Sequence, residues 1–415
     1  MPPPFQAGIA QREFSVYSGL DLSGYALRVQ PCTGVRDAIS VTALALESDT
    51  VLWVLISADA LGFAIDVADQ MRGNIAAAAR QIGSWKEIQV CLAATHSHSA
   101  PASMNLRECG KVNSPWLESA RDMIIQTAVE SINNLQPARF GAGQTDVRGV
   151  ALNRRKSTFV DNELSVWRVD QENGKPLAIV MNFACHPVVL SHENRSISAD
   201  YPGEVRCALQ EEFHVPVLFL TGAAGDINPI HRGETDALKR TAAPLIDAAK
   251  VLLPQIETSP KVLLRGASMR LDLPLLPRPP REELITIAAS DPLPARRAWA
   301  EQALLTSVYV PLTVPCALQT WRVNSAALAA IGCELFASLG LLLKSTFKEK
   351  GIQSTLLAAY ANGNLGYVPD AAAYECGGYE VDNAHYYYAQ PACVAPVAGE
   401  IILKACAALM TYGEK

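Results

Sequence analysis

The sequence predicts an α/β protein built on a mixed, mostly buried β-sheet that is flanked by helices. Short apolar, β-branched runs alternate along the chain with longer segments of helical period. The 415 residues are 49% hydrophobic and 18% charged, a composition typical of a globular enzyme. Five of the apolar runs lead directly into polar clusters. Because ligands of open α/β sheets bind beyond the carboxyl ends of the strands, we expect an active site at that edge.

Strands are predicted where apolar and β-branched residues run together between Gly, Pro, Asn or Asp residues. These segments are 51–56, 88–93, 164–169, 177–183, 215–220, 261–273, 325–331 and 355–360.

Helices are predicted where apolar residues recur every three or four positions. These segments are 64–82, 114–135, 202–213, 235–253, 280–306, 334–349 and 397–412. A Pro-rich stretch at 274–281 interrupts the alternation of strands and helices. We therefore expect one catalytic domain over residues 1–415, with any subdomain boundary near 274–281. No internal repeat is visible in the sequence.

The charge balance excludes several classes of partner. Lys and Arg number 35, Asp and Glu number 41, and the net charge is −6 with no basic cluster. Binding to nucleic acid and stable membrane association are therefore not expected. The amino end shows no basic segment followed by an apolar one, so we expect no signal peptide and a cytoplasmic location. The ten cysteines form no CxxC pair, which excludes a zinc ribbon and a thioredoxin-type site.

Polar clusters follow five of the predicted strands. They are Asp59, THSHS at 95–99, His186, TGAAGDINP at 221–229 and ANGNLGY at 361–367. Because the carboxyl ends of neighbouring strands can meet at one edge of a sheet, we expect these clusters to converge on a single site.

Three of the seven histidines, His96, His98 and His186, lie in these loops. An HxH pair alone favours a structural or surface role over a metal site. The metal interpretation gains weight because Pro187 ends the strand at His186 and because imidazole is the usual neutral zinc ligand. The other four histidines, which are His192, His214, His231 and His385, are predicted to be structural or solvent-exposed.

The segment 221–229 has the small residues of a tight turn, with Asp226 at its apex. It lacks the GK[ST] ending and the GxGxxG spacing of phosphate-binding loops, so Asp226 either caps a turn or serves the site. No GxSxG motif occurs in the chain, which argues against a serine hydrolase of the α/β-hydrolase type.

Seven motifs occur in the order of a known family. They are THSHSAP at 95–101, LNRR at 152–155, FACHP at 183–187, SADYPG at 198–203, GAAGDINP at 222–229, GCELF at 332–336 and GYVPDAAAYECGGYE at 366–380. Together they resemble the neutral (non-lysosomal) ceramidase family of zinc amidohydrolases, whose motifs include THTHSGP, AVHP, GDVSPN and GYVTTxxEYxxxxYEG. The resemblance runs from about residue 8 to about residue 412, and residues 25–46 fit the family's amino-terminal strand region.

The resemblance implies one Zn²⁺ per chain. It assigns the metal to His96, His186, Glu334 and Tyr367, which offer the nitrogen and oxygen donors that zinc accepts. On the residues alone, Glu334 would be a carboxylate at a helix amino terminus and Tyr367 a core tyrosine. A zinc-bound water would then attack the carbonyl of the substrate.

The resemblance also implies roles for the surrounding side chains. His98 would be the acid/base or the donor that stabilises the oxyanion, and Arg154 and Tyr379 would hydrogen-bond the tetrahedral intermediate. The other implied positions are Asn228 and Asp200 for binding of the substrate, and Asp59 and Asp226 for orienting the ligand imidazoles.

Departures from the family motifs shape the functional prediction. Asn228 replaces the serine of GDVSPN, which excludes a serine nucleophile at that position and favours attack by metal-bound water. Ala100, Gly332 and Cys333 replace other motif residues. The chain ends soon after the tyrosine motif, so we expect a short form without the family's carboxyl-terminal immunoglobulin-like domain, and a membrane-lipid substrate is less favoured than a soluble one.

The sequence thus predicts a zinc-dependent hydrolase that cleaves the C–N bond of a small soluble amide or lactam. Ceramide hydrolysis is the first alternative, and a lactonase or esterase that uses the same residues is the second. A binding protein that retains the fold without catalysis is a third alternative, although all four implied ligands are present. The expected partner is a small-molecule substrate, and homo-oligomerisation stays open.

Overall fold

The computed structural model describes residues 5–233, 236–306 and 311–411. Its longer strands are β1 (Gln6–Glu13), β3 (Ser40–Ser48), β4 (Val51–Ala58), β5 (Glu87–Ala94), β6 (Gln136–Asp146), β8 (Glu163–Gln171), β9 (Pro176–Phe183), β11 (Val217–Thr221), β13 (Leu264–Pro274), β14 (Thr313–Val323), β15 (Ala326–Ile331) and β17 (Ser354–Ala358). Its shorter strands are β2 (Gly34–Val35), β7 (Ala151–Asn153), β10 (Ser196–Ile197), β12 (Ile227–Pro229), β16 (Glu334–Leu335) and β18 (Tyr367–Val368).

The helices follow the predicted order along the chain. They are α1 (Ile65–Ile82), α2 (Ser114–Asn133), α3 (Asp200–Phe213), α4 (Ala237–Leu252), α5 (Arg281–Ser290), α6 (Pro294–Leu305), α7 (Ala337–Glu349), α8 (Ala371–Cys376), α9 (Ala384–Tyr387) and α10 (Ala398–Met410). Two predicted helix ends, Thr235 and Tyr412, lie outside the described residues. No helix within the described ranges combines the length and the hydropathy that crossing a bilayer requires.

Two predicted helix boundaries were wrong. The predicted helix 280–306 is a pair of helices, α5 and α6, because Pro294 begins a new helix and Asp291 Oδ1 accepts from Leu293 N in the turn between them. The predicted helix 334–349 begins only at Ala337, because Glu334 pairs in the short strand β16. Glu334 is therefore held by a strand pair before the helix starts.

The longer strands form one large sheet and one smaller sheet, and the short strands pair as β2-β10, β7-β12 and β16-β18. The large sheet has eight strands in the order β11-β9-β8-β6-β1-β3-β4-β5, and the smaller has the order β13-β14-β15-β17. The large sheet contains parallel pairs at both edges and antiparallel pairs between them. The prediction of a mixed sheet flanked by helices is confirmed.

One strand topology occurs three times in the described residues, although no repeat is visible in the sequence. Each unit has four strands in sequential order, joined by two antiparallel pairings and then one parallel pairing across a helix. The units are β1-β3-β4-α1-β5, β6-β8-β9-α3-β11 and β13-β14-β15-α7-β17. The first two units join through β1 and β6 into the large sheet.

The repeat explains how the polar clusters converge. In the three units, the third strand is followed by Asp59, His186 and Glu334, respectively. The fourth strand is followed by the polar clusters that contain His96, Asp226 and Tyr367, respectively. Equivalent loops of three similar units therefore supply the four predicted metal ligands, whereas Arg154, Asp200 and Tyr379 come from other segments. As predicted, these loops lie beyond the carboxyl ends of the strands.

A buried layer joins the two sheets. Trp53 of β4 and Trp321 of β14 stack with ring centroids 4.8 Å apart, and both are fully buried. The buried Asn182 of β9 bonds both main-chain polar groups of Leu357 in β17, with distances of 2.8 and 2.9 Å. Because buried amides are costly unless they are paired, this contact fixes how the third unit sits on the large sheet.

Candidate active site

Three imidazole rings meet where the loops after β5 and β9 come together. The Nε2 atoms of His96 and His186 lie 3.0 Å apart, and His98 Nε2 lies 3.3 Å from His96 Nε2. All three residues are buried. Within the described residues, the ring nitrogens of His96, His98 and His186 lie close enough together to share a metal ion.

Main-chain carbonyl groups hold two of these rings. His96 Nδ1 lies 2.5 Å from Leu61 O, and His186 Nδ1 lies 2.9 Å from Ala224 O. Because a carbonyl oxygen can only accept, Nδ1 carries the proton in both rings and the Nε2 lone pairs face the cluster. Metal-binding histidines are commonly held by a hydrogen bond of this kind.

Glu334 and Tyr367 are neighbours because β16 and β18 pair in parallel with these two residues in register. Glu334 is fully buried, and its Oε2 lies 3.3 Å from His96 Nε2 and 3.6 Å from His186 Nε2. Burial raises the pKa of Glu334, but the two histidines and the Tyr388 hydroxyl outweigh it and leave the pKa at about 2. The carboxyl group is therefore an anion that faces the imidazoles.

These donor atoms fit a zinc ion. Ligand atoms about 2.0–2.1 Å from a tetrahedral zinc are separated from each other by about 3.3–3.4 Å. The separations among His96 Nε2, His186 Nε2 and Glu334 Oε2, 3.0 to 3.6 Å, lie around that value. Glu334 Oε2 is buried without a hydrogen-bond donor among the described residues, which is costly unless a cation satisfies it.

His98 is held differently from the other two histidines. Its Nδ1 has no hydrogen-bond partner among the described residues. The Tyr25 ring lies beside it with centroids 4.9 Å apart, and a Cβ on Gly24 would lie 2.3 Å from His98 Nδ1. Burial lowers the pKa of His98 well below its usual value. A neutral ring without a fixed tautomer suits the acid/base role that the resemblance implies.

Arg154 and two tyrosines lie beside Glu334. The guanidinium carbon of Arg154 lies 5.5 Å from the centroid of the Tyr367 ring, and its Nε donates to Glu380 at 2.7 Å. The Tyr379 ring meets the Tyr367 ring edge-on with centroids 5.7 Å apart, and 43% of Tyr379 is exposed. The structure thus brings the three predicted residues Arg154, Tyr367 and Tyr379 together.

The buried Glu380 joins two of the sequence motifs and was not predicted. It accepts from Arg154 Nε with one oxygen and from Arg155 Nη1 with the other, both at 2.7 Å. Arg155 also donates to Gly377 O at 2.6 Å. These contacts connect positions more than 200 residues apart, so no local pattern could reveal them. They fix the loop that carries Tyr379.

Asp59 and Asp226 bond the loops around the site rather than the imidazole rings. Asp59 Oδ1 accepts from Thr95 Oγ1 at 3.2 Å, one residue before His96. Asp226 Oδ1 accepts from Ala337 N at 2.8 Å, at the start of α7. The direct contact with a ligand imidazole that we expected is made instead by main-chain carbonyls. Both carboxylates therefore fix the loops that position the site.

Asp200 and Asn228, the two predicted substrate contacts, lie in different surroundings. Asp200 is buried with φ 58°, and its carboxylate accepts from Val189 N at 3.3 Å and Leu190 N at 3.0 Å. It therefore holds the loop after His186. Asn228 lies in β12 with its Oδ1 buried and without a partner among the described residues, so it stays the better candidate for contact with the substrate.

Two tyrosines at the cluster were missed by the sequence analysis. Tyr360 stacks on the His96 ring with centroids 3.9 Å apart, and the Tyr388 hydroxyl donates to Glu334 Oε1. Tyr360 was assigned to the end of a predicted strand. Tyr388 is the last of three consecutive tyrosines, and nothing in the sequence distinguishes one of them from the others.

Comparison with known proteins gives matches to one family. Residues 15–217 match the family described as "Neutral/alkaline non-lysosomal ceramidase, N-terminal". Among curated proteins, neutral ceramidase B of Dictyostelium discoideum is 24% identical over 179 residues, covering 36% of this chain and 25% of that protein. Neutral ceramidase A of the same organism is 24% identical over 176 residues. The chain thus matches about a quarter of the length of these relatives.

Solved structures support the fold over nearly the whole chain. The crystal structure of neutral ceramidase from Pseudomonas aeruginosa matches with a TM-score of 0.76 and 17% identity, covering 98% of this chain and 74% of that one. A structure of ceramidase complexed with C2 matches with the same TM-score and 16% identity. At this level of identity the likeness establishes the shared architecture.

Proposed function

The resemblance to the neutral/alkaline non-lysosomal ceramidase family is confirmed, with residues 15–217 matching its amino-terminal model, and on this basis we propose that the chain is a zinc-dependent hydrolase of amide bonds. The observation that carries the proposal is the convergence of His96, His186 and Glu334 around one point, with Tyr367 in register beside Glu334. A buried carboxylate oxygen without a donor among the described residues faces that point.

The residues of the chain divide the chemistry between them. His96, His186, Glu334 and Tyr367 would hold the metal, which when bound lowers the pKa of a water molecule and polarises a carbonyl group. His98 would accept at Nε2 the proton that the attacking water loses and would return it to the leaving nitrogen, because its buried ring is neutral before the reaction.

Charge that develops on the carbonyl oxygen needs hydrogen-bond donors. Arg154 keeps its position through Glu380 and Gly225, which occupy its Nε and Nη2 atoms and leave further N–H groups for the substrate. The Tyr379 hydroxyl is the second proposed donor, on a ring that is partly exposed and packed against Tyr367. Donors held in place before the reaction stabilise an oxyanion without reorganisation.

The relatives are named neutral ceramidases, which favours ceramide as the substrate over the small soluble amide expected from the sequence. Two exposed apolar side chains on the segment that carries Arg154 agree with an acyl-chain substrate: Leu152 and Phe159 lie two residues before and five residues after Arg154 in sequence and are 41% and 51% exposed. We therefore propose an N-acyl amide as the substrate, with ceramide as the first compound to test.

The test is a panel of substrates on purified protein whose metal content is known. We expect release of fatty acid from ceramide to exceed hydrolysis of short acyl amides, lactams and lactones. A chelator should abolish the activity and Zn²⁺ should restore it. Activity on esters or lactones without activity on any amide would replace the proposal with the esterase alternative, and full activity of metal-free protein would refute the metal centre.

A further inference from the structure

Tyr388 contacts the oxygen of Glu334 that faces away from the histidines. Its hydroxyl donates to Glu334 Oε1, whereas Oε2 is the oxygen near His96 and His186. The two carboxylate oxygens therefore have different environments. One is bonded to a protein donor, and the other is left for a cation.

The segment that carries Tyr388 is fixed from two directions. Arg107, which follows the histidine motif, donates from Nη1 to Tyr386 O at 2.6 Å and from its main-chain N to Tyr387 O at 2.9 Å. On the other side, Trp299 of α6 donates from Nε1 to Gln390 O at 2.9 Å. Tyr388 thus lies between two anchored residues.

Gly366 shapes the space for the Tyr388 ring. Its φ is 98°, and a Cβ at this position would lie 2.9 Å from Tyr388 Cγ, so the ring rests directly on the glycine backbone. The Gly366 carbonyl also accepts from Glu334 N at 2.8 Å. One residue therefore fixes the main chain of Glu334 and the ring of Tyr388 relative to each other.

We infer that Tyr388 is a positioning residue, which holds Glu334 so that Oε2 alone is presented to the metal. The inference rests on the metal site of the proposed function. Without the hydroxyl, the carboxylate is free to rotate about its last side-chain bond, and both oxygens can approach the ion. Partners that orient a ligand typically contribute about 10- to 100-fold in metal affinity.

Zinc affinity of the 415-residue chain tests the inference. Competition with a chromophoric chelator should show a dissociation constant about 10- to 100-fold higher for Tyr388→Phe than for the parent protein. Tyr387→Phe is the matched control, because this neighbouring hydroxyl is not directed at Glu334, and its affinity should change less than about twofold. Thermal unfolding of the metal-free proteins should give similar midpoints for both variants, which would exclude a folding defect.

Cobalt-loaded protein provides a second readout that a purely structural role would not move. Because a carboxylate bound through both oxygens changes the coordination number, the visible absorption of Tyr388→Phe should change in shape and intensity. Parent-like zinc affinity, or a cobalt spectrum identical to that of the parent, would overturn the inference. The measurement uses no substrate, so failure of the amide-hydrolase proposal would appear separately, as zinc binding without amide cleavage.

Discussion

The Tyr360 ring lies on the His96 imidazole, with centroids 3.9 Å apart and planes 23° from parallel. Tyr360 is 1% exposed, and it has a left-handed backbone with φ 58° two residues after the end of β17. A non-glycine residue in that conformation costs about 1–3 kcal/mol unless its surroundings hold it there. Main-chain bonds to Cys333 O and from Ala94 N supply that constraint and connect the third unit to the first.

The Tyr360 hydroxyl is buried without a hydrogen-bond partner among the described residues. Replacing it in Tyr360→Phe keeps the stacking on His96 and removes the cost of an unsatisfied polar group, which is about 1–3 kcal/mol. We expect unchanged zinc content and a free energy of unfolding that is equal or up to about 1 kcal/mol higher in urea denaturation. A clear loss of stability would show that the hydroxyl has a partner in solution.

Gly24 provides a way to move His98 without replacing it. A Cβ in Gly24→Ala would lie 2.3 Å from His98 Nδ1, so the ring must shift. If His98 transfers the proton, turnover should fall by about 100-fold or more, the contribution typical of a positioned acid/base, while zinc content stays near one per chain. Loss of zinc in this variant would instead identify His98 as a ligand. Metal analysis and steady-state kinetics on the same sample distinguish the two outcomes.

Gly174→Ala is the matched control for Gly24→Ala. Gly174 has a similar left-handed φ of 83°, but a Cβ there would meet nothing within 4 Å. Both variants carry the backbone strain of about 1 kcal/mol that a side chain causes in this region. Only the steric contact with His98 differs, so Gly174→Ala should retain parent turnover.

The predictable part of the fold was the part with strong local patterns. All eight predicted strands are present, because they are apolar runs bounded by turn residues. The strands β1, β6 and β14 were missed, and β3 was anticipated only through the resemblance over residues 25–46. QPARFGAGQTD of β6 contains two glycines, and QAGIAQRE of β1 and TVPCALQTWRV of β14 mix polar and apolar residues. Two-residue strands such as β16 exist only through their partners. The three units of similar topology were not predicted, because the order of their strands recurs without a repeated sequence motif.

The site could be predicted where a strand ends in a polar cluster. His96, His98 and His186 were found in this way, and the resemblance added Glu334 and Tyr367. Side chains that act through distant partners, which include Tyr360, Glu380 and Tyr388, were not found, because their roles depend on contacts between separate units of the fold.

The metal centre can be tested by removing one imidazole at a time. His96→Ala and His186→Ala should each lose most of the bound zinc, since both Nε2 atoms point into the cluster. His214→Asn is the control: His214 is an exposed cap with φ 54°, a conformation that asparagine tolerates. Metal content by mass spectrometry should stay at the parent level in this control. Equal zinc loss in all three variants would indicate general destabilisation.

The oxyanion role of Tyr379 is tested by removing only its hydroxyl. Tyr379 is partly exposed and packs edge-on against Tyr367, so the phenyl ring of Tyr379→Phe should keep its place. A donor aimed at a developing oxyanion contributes about 100- to 1,000-fold in turnover. We expect kcat to fall in that range with zinc content and KM little changed. Loss of zinc in Tyr379→Phe would mean that Tyr379, and not Tyr367, is the ligand.

Arg154 requires a different substitution, because it also has a structural partner. Arg154→Ala would leave the buried Glu380 with Arg155 as its remaining ion-pair partner and would mix instability with lost catalysis. Arg154→Lys keeps a positive charge beside Glu380 but removes the planar fork of donors. If the fork binds the oxyanion, kcat should fall by about 100-fold or more while the unfolding midpoint stays near that of the parent. Parent-like turnover in Arg154→Lys would show that Arg154 has only the structural role of pairing with Glu380. Tyr379 would then be the remaining proposed donor to the substrate.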